Sequence, residues 1–175
     1  MDKNLVFKKY DGTVIEDVNS YVREWVTKYP HSEISIGCDS QQHTTYVKYS
    51  IAIVMHKFLE SKEENPDRVG KGAHIISATI IDKNKTLKTD LYTKLFAEAI
   101  YTVEAAQLLD GCDKKVVIHL DYNSKKEEYS NILYTAGLGY VRGMGFDVLG
   151  KPDAWSASHA ADALCKRKGP NPKLI

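Results

Sequence analysis

Two aspartates end two of the most apolar short segments in the chain. Asp39 directly follows Ile34-Ser35-Ile36-Gly37-Cys38, and Asp121 directly follows Val116-Val117-Ile118-His119-Leu120. If these segments are neighbouring strands, the two carboxylates stand side by side. Like charges at close range raise one pKa unless a cation intervenes. Oxygen donors alone suit Mg²⁺ or Mn²⁺ rather than Zn²⁺. For either Asp by itself, the plainer alternative is turn formation after a strand.

A third carboxylate comes from a helix expected over Asp90 to Leu109, with Leu91, Leu95, Ala99, Val103 and Ala106 on one side. Each residue turns a helix by about 100°. With the apolar face centred between Leu95 and Ala99, Glu98 lies roughly 80° from the centre and Glu104 roughly 160°. Glu98 is therefore expected at the boundary between buried and exposed, where a ligand would sit. Glu104 faces water and is the fallback. A last helix, Ala154 to Cys165, offers Asp162, with His159 three residues earlier on the same face. An imidazole there could orient a carboxylate, position water or shuttle a proton. Asp153 competes with Asp162 and is assigned to capping that helix. Four carboxylates from two strands and two helices suit a two-metal clamp on a phosphodiester, which activates water on one side and stabilises the leaving oxygen on the other.

Other residues are candidate substrate contacts. Ser40, Gln41 and His43 lie just past Asp39, and Asn123 just past Asp121. Arg142 sits among Gly137, Gly139, Gly143 and Gly145, which read as repeated chain breaks that let backbone approach a phosphate. Trp155 could stack on a base, with core packing as the alternative. Cys38 and Cys165 read as buried thiols, not nucleophiles.

The elements that must position these residues follow from pattern. Leu5 to Phe7 and Thr13 to Ile15 flank Asp11-Gly12, a hairpin signal. A helix is expected from Val18 to Tyr29, capped by Asp17 and ended by Pro30. Strands are expected over Glu33 to Cys38, Thr45 to Phe58 and His74 to Ile81, with a surface loop from Glu60 to Gly72. No helix separates them, so they form an antiparallel meander. After the long helix come a strand at Val116 to Leu120, a helix at Glu127 to Leu138, a strand at Phe146 to Leu149 and the last helix. The order β-β-β-α-β-α-β-α after a hairpin and helix implies an α/β fold with a mixed sheet. Residues 1–32 read as an N-terminal extension, 33–165 as the main domain and 166–175 as a basic tail.

Composition bounds the rest. The 175 residues carry 24 Lys+Arg against 23 Asp+Glu, a formal net charge of +1. That length suits one domain, and that balance excludes a protein that coats nucleic acid by bulk charge. Any positive surface must be local. No run nears the ~18 apolar residues of a membrane span, and no charged leader precedes an apolar stretch. Three widely spaced cysteines fit neither a disulfide framework nor a thiolate metal site. A cytoplasmic location is expected.

Gly37-Cys38-Asp39-Ser40-Gln41 resembles the first strand of the ribonuclease-H-like superfamily. The resemblance implies that Asp39, Glu98, Asp121 and Asp162 are the four metal-binding acids of that fold. More narrowly, His119-Leu120-Asp121, Gly139-Tyr140-Val141-Arg142-Gly143-Met144-Gly145-Phe146 and Lys151-Pro152-Asp153-Ala154-Trp155 resemble the YkuK-type bacterial proteins, predicted nucleases of this superfamily. Gln41 stands where the proofreading-type exonucleases of the superfamily have Glu. His159 with Asp162 is similar to the Holliday-junction resolvases. The resemblance implies a ribonuclease-H-like mixed sheet and a Mg²⁺- or Mn²⁺-dependent nuclease acting on RNA or DNA. The alternative it leaves open is a catalytically inactive nucleic-acid-binding or scaffold domain. Neither the preferred nucleic acid nor the oligomeric state is legible from the residues.

Overall fold

The computed structural model describes residues 5–123, 130–154 and 156–166. Its centre is a seven-stranded sheet in the order β2-β1-β5-β4-β3-β6-β7. The strands are β1 (Phe7–Lys8), β2 (Val14–Ile15), β3 (Glu33–Gln42), β4 (Val47–Phe58), β5 (Gly70–Asp82), β6 (Val116–Asn123) and β7 (Asp147–Lys151). The helices are α1 (Val18–Lys28), α2 (Lys85–Thr89), α3 (Leu91–Gln107), α4 (Ser130–Gly143) and α5 (Ser156–Lys166). This is the mixed α/β architecture of ribonuclease-H-like folds. β3, β4 and β5 form the expected antiparallel meander, while β6 joins β3, and β7 joins β6, in parallel. The hairpin β1–β2 extends the same sheet, because Lys8 pairs with Ser77 of β5.

Alternation along β4 explains why the sheet divides helices between its faces. Val47, Tyr49, Ile51, Ile53 and Met55 are all fully buried. They share one continuous core with Ile34, Ile36, Val22, Val103, Leu133 and Val141, so α1, α3 and α4 cover that face. The other face carries Ala52 and Val54, which pack against Ala157 and Ala161 of α5. Small residues let α5 lie close. A Cβ on Gly37 would come within 2.7 Å of the Ala157 backbone carbon.

Several boundaries differ from the sequence expectation. β3 runs on to Gln42 because Gln42 still pairs with Val47, so Asp39 lies inside a strand and not after it. β6 likewise continues through Asp121 to Asn123. Of the glycines expected to break the chain, Gly137, Gly139 and Gly143 are inside α4, while Gly145 does end it, in a turn at φ 89°. Within α4, Gly137 is required by packing, since a Cβ would meet the Tyr122 ring at 2.5 Å. The short α2 was not expected; Asn84 caps it by accepting from the Thr86 N–H.

Candidate functional site

Asp39 and Asp121 lie on neighbouring strands, just past the last paired residues of the β3–β6 ladder. Gly37 of β3 pairs with His119 of β6, and each aspartate lies two residues further along its strand. Two residues on means the same face, and neighbouring strands are about 4.8 Å apart. Burial holds the Asp39 carboxyl above its ordinary range. The Ser40 backbone N–H opposes that rise, and the charges of Asp162 and Asp121 add to it. Asp39 therefore senses both other acids.

Glu98 approaches from the opposite face. Two tyrosines fix the height of α3 on the sheet: the Tyr49 hydroxyl donates to the Lys94 carbonyl at 3.2 Å, and the Tyr122 hydroxyl to the Leu95 carbonyl at 2.5 Å. Glu98, three residues after Leu95, is 3% exposed. The expectation of a boundary position is thus corrected to a buried one. The apolar stripe alone places Glu98 off-centre, but its carboxyl faces the sheet, against β3. Ser40 Oγ donates to Glu98 Oε1 at 2.6 Å. Burial pushes the Glu98 carboxyl up to about 8; Ser40 pulls against this, Asp39 and Asp121 reinforce it, and Lys94 relieves it. At neutral pH this carboxyl is mostly protonated. Glu104, the fallback, is only partly buried, farther along α3.

α5 brings the fourth acid. His119 fastens its first turn: Nδ1 accepts from the Ala157 N–H at 3.3 Å, and burial pushes the imidazole pKa down to about 4. The neutral ring is thus an acceptor at Nδ1. At the other end the Cys165 thiol donates to the Asp39 backbone carbonyl at 3.1 Å, and Lys48 Nζ donates to the Leu164 and Cys165 carbonyls, each at 3.0 Å. Asp162 lies between these anchors, and His159 is exposed one turn earlier. Asp153 is exposed in a turn three residues ahead of Ser156, so it does not stand directly before the helix as expected of its cap.

Two lysines join the site: Lys166, which the sequence offers as a phosphate contact or a solvated charge of the basic tail, and Lys151, which the sequence does not single out. Lys166 Nζ contacts both carboxylate oxygens of Asp162, at 2.7 and 2.8 Å. Lys151 Nζ lies 2.5 Å from Asp121 Oδ1. That contact is close but not aligned as a hydrogen bond, and Asp121 Oδ1 is a buried oxygen without an aligned donor. The i,i+4 spacing of Asp162 and Lys166 was a usable signal. Lys151 gave none, because only the β6–β7 register, with Asn123 opposite Lys151, brings it to Asp121.

The other predicted contacts divide. Ser40 belongs to the site through Glu98, and Gln41 shares the Asp39 face of β3. His43 lies in the β3–β4 turn, stacked on Tyr46 at 4.5 Å. Arg142 does not join them. It is exposed in the last turn of α4, just before β7 begins. α4 returns the chain against the direction of β6, so Arg142 lies at the sheet end remote from Asp121. Trp155, Lys125 and Lys126 and the side chain of Asn123 lie outside the described residues.

The donor chemistry suits a hard cation. The placement does not complete such a site. Among the described residues no three His, Cys, Asp or Glu side chains are grouped so as to hold a metal ion. Two of the four acids instead carry lysines. No described helix is long and apolar enough to cross a membrane.

Comparison with known proteins agrees with this architecture. The family model described as Ribonuclease H-like matches residues 13–166. "Uncharacterized protein YkuK" of Bacillus subtilis (strain 168) is 28% identical over 173 residues, covering 86% of this chain and 90% of that protein. No solved structure matches significantly. The matched residues span the meander, the parallel strands and the helices and include all four acids, and the chain belongs to the ribonuclease H-like family.

Proposed function

We propose that this chain is a ribonuclease H-like nucleic-acid-binding domain that meets its ligand at the acid-bearing end of the sheet. The observation that carries this reading is the pairing of Asp121 with Lys151 and of Asp162 with Lys166. These lysines already neutralise half of the acidic set and offer cationic groups where a phosphate backbone would pass. Similarity to YkuK over most of both chains supports placing the two proteins in one group. Three free thiols fit a reducing cytoplasm.

A second reading, metal-dependent phosphodiester hydrolysis, is favoured by one specific observation. Burial raises the carboxyls of both Asp39 and Glu98, and neighbouring acids add to the rise, Asp162 and Asp121 at Asp39 and Asp39 and Asp121 at Glu98. In that reading Asp39, Glu98, Asp121 and Asp162 would turn toward Mg²⁺ or Mn²⁺, releasing Lys151 and Lys166.

One experiment separates the readings. Single-stranded RNA, single-stranded DNA, RNA–DNA hybrid and a four-way junction are titrated by fluorescence anisotropy and incubated with Mn²⁺, Mg²⁺ or EDTA. The binding reading expects saturable binding unchanged by EDTA and intact products. Metal-dependent cleavage lost in Asp39→Asn establishes the second reading instead. Absence of binding to every member overturns the first.

A further inference from the structure

Among the described residues, no helix covers the sheet beyond α5. β5, β1 and β2 face that side with Lys8, Ser77 and Thr79, because Lys8 pairs with Ser77, and Ser77 with Ala52, on the α5 face. Between the last turn of α5 and the β1–β2 hairpin lies a groove of about 580 Å³. Ser77 and Thr79 line it, Leu164 borders it, and Lys8, Lys9, Lys48 and Tyr10 stand around it. Among the described residues its walls hold three lysines, of which Lys9 places its Nζ 5.2 Å from the centre of the Tyr21 ring, and a single carboxylate, Asp11, which already accepts from the Thr13 N–H at 2.9 Å. Tyr10 is 74% exposed.

The groove lies on the same face of the sheet as Asp39. Asp39 pairs with Ser50, Ser50 with Thr79, and two residues from Thr79 is Ser77, opposite Lys8. That path crosses three interstrand spacings, about 14 Å. Lys48 stands at its midpoint, held by the α5 carbonyls. Asp39 and Asp121 therefore share the α5 face of the sheet with Lys8 and Lys48, and the C-terminal turn of α5 stands between the two groups.

Resting on the nucleic-acid reading above, we infer that this groove is the track for a single strand, with backbone phosphates on Lys8 and Lys9 and an unstacked base on Tyr10. The charge balance selects a polyanion. A tyrosine ring offers its face only to a base freed from a duplex, which selects a single strand. Serine and threonine hydroxyls on the groove floor add donors for phosphate or sugar oxygens.

The test uses the full chain and a fluorescein-labelled single-stranded oligonucleotide of about 15 nucleotides, titrated at several salt concentrations. Lys8→Gln with Lys9→Gln should lower the slope of log affinity against log salt by about 1.4. Tyr10→Ala should weaken binding about tenfold. Lys115→Gln, at the opposite end of the sheet, should change neither quantity. Wild-type binding with no response to the groove variants overturns the track and leaves the broader reading standing. No binding by wild type overturns both. If a variant melts early, photocrosslinking of wild type with a thiouridine-containing strand decides: adducts at Tyr10 or Lys8 support the track, and adducts confined elsewhere overturn it.

Discussion

On the side facing α1, α3 and α4, the strands present Ile34, Ile36, Tyr49, Ile51 and Ile53, each at most 1% exposed. On the side facing α5 the same strands present Ser35, Gly37, Asp39, Ser50 and Ala52, with His119 and Asp121 alongside. The first face is a close-packed apolar layer, and such layers supply most of a domain's stability. The second is built from small and polar groups that hold a helix by hydrogen bonds and close backbone approach. The difference shows how one sheet separates stability from chemistry: alternation sends successive residues to opposite sides. Glu98 is the exception, a carboxyl buried at the edge of the apolar face.

The comparison can be broken at three points. Ile53→Ala should cost about 4 kcal/mol, since it empties a fully buried position. Urea denaturation would show it, and a loss under about 1 kcal/mol would mean the face is not the tight layer described. Glu98→Gln should come next. A folded pKa of about 8, against 4.5 when unfolded, means the folded state keeps a proton that the unfolded state releases. Stability linked to this group is complete below about pH 4.5 and is lost as pH rises toward 8. Glu98→Gln should remove that decline and be more stable than wild type by about 3 kcal/mol at pH 7. Parallel pH profiles of the two proteins would contradict the burial described. Gly37→Ala should cost about 2 kcal/mol by driving a methyl into the backbone of α5. An unchanged melting temperature would show that α5 is loosely seated and that the polar face needs no close approach.

Much of this architecture was legible because local periodicity reports burial. Val47, Tyr49, Ile51 and Ile53 alternate along β4 as read, and Asp17 caps α1 by accepting from the Ser20 N–H. The errors arose where tertiary contacts override local preference. Glycine costs a helix about 1 kcal/mol relative to alanine, so Gly137, Gly139 and Gly143 read as breaks. Gly137 is nonetheless helical because Tyr122 fills the space a side chain would need. Arg142 followed those glycines into a turn in the sequence reading and is instead helical, at the wrong end of the sheet.

For the site, residue type and spacing picked out Asp39 and Asp121 as acids at the ends of buried runs, and Asp162 as an acid one turn from His159. Those features are local in the chain and follow from the two repeat periods of helix and strand. Only the assembled sheet decided that β3 and β6 are neighbours, that Glu98 is buried, and that Lys151 reaches Asp121. Each depends on residues tens of positions apart, and their proximity is set by strand register and by which helix covers which face. Local sequence carries no record of either, because register and face coverage are properties of the whole packed sheet.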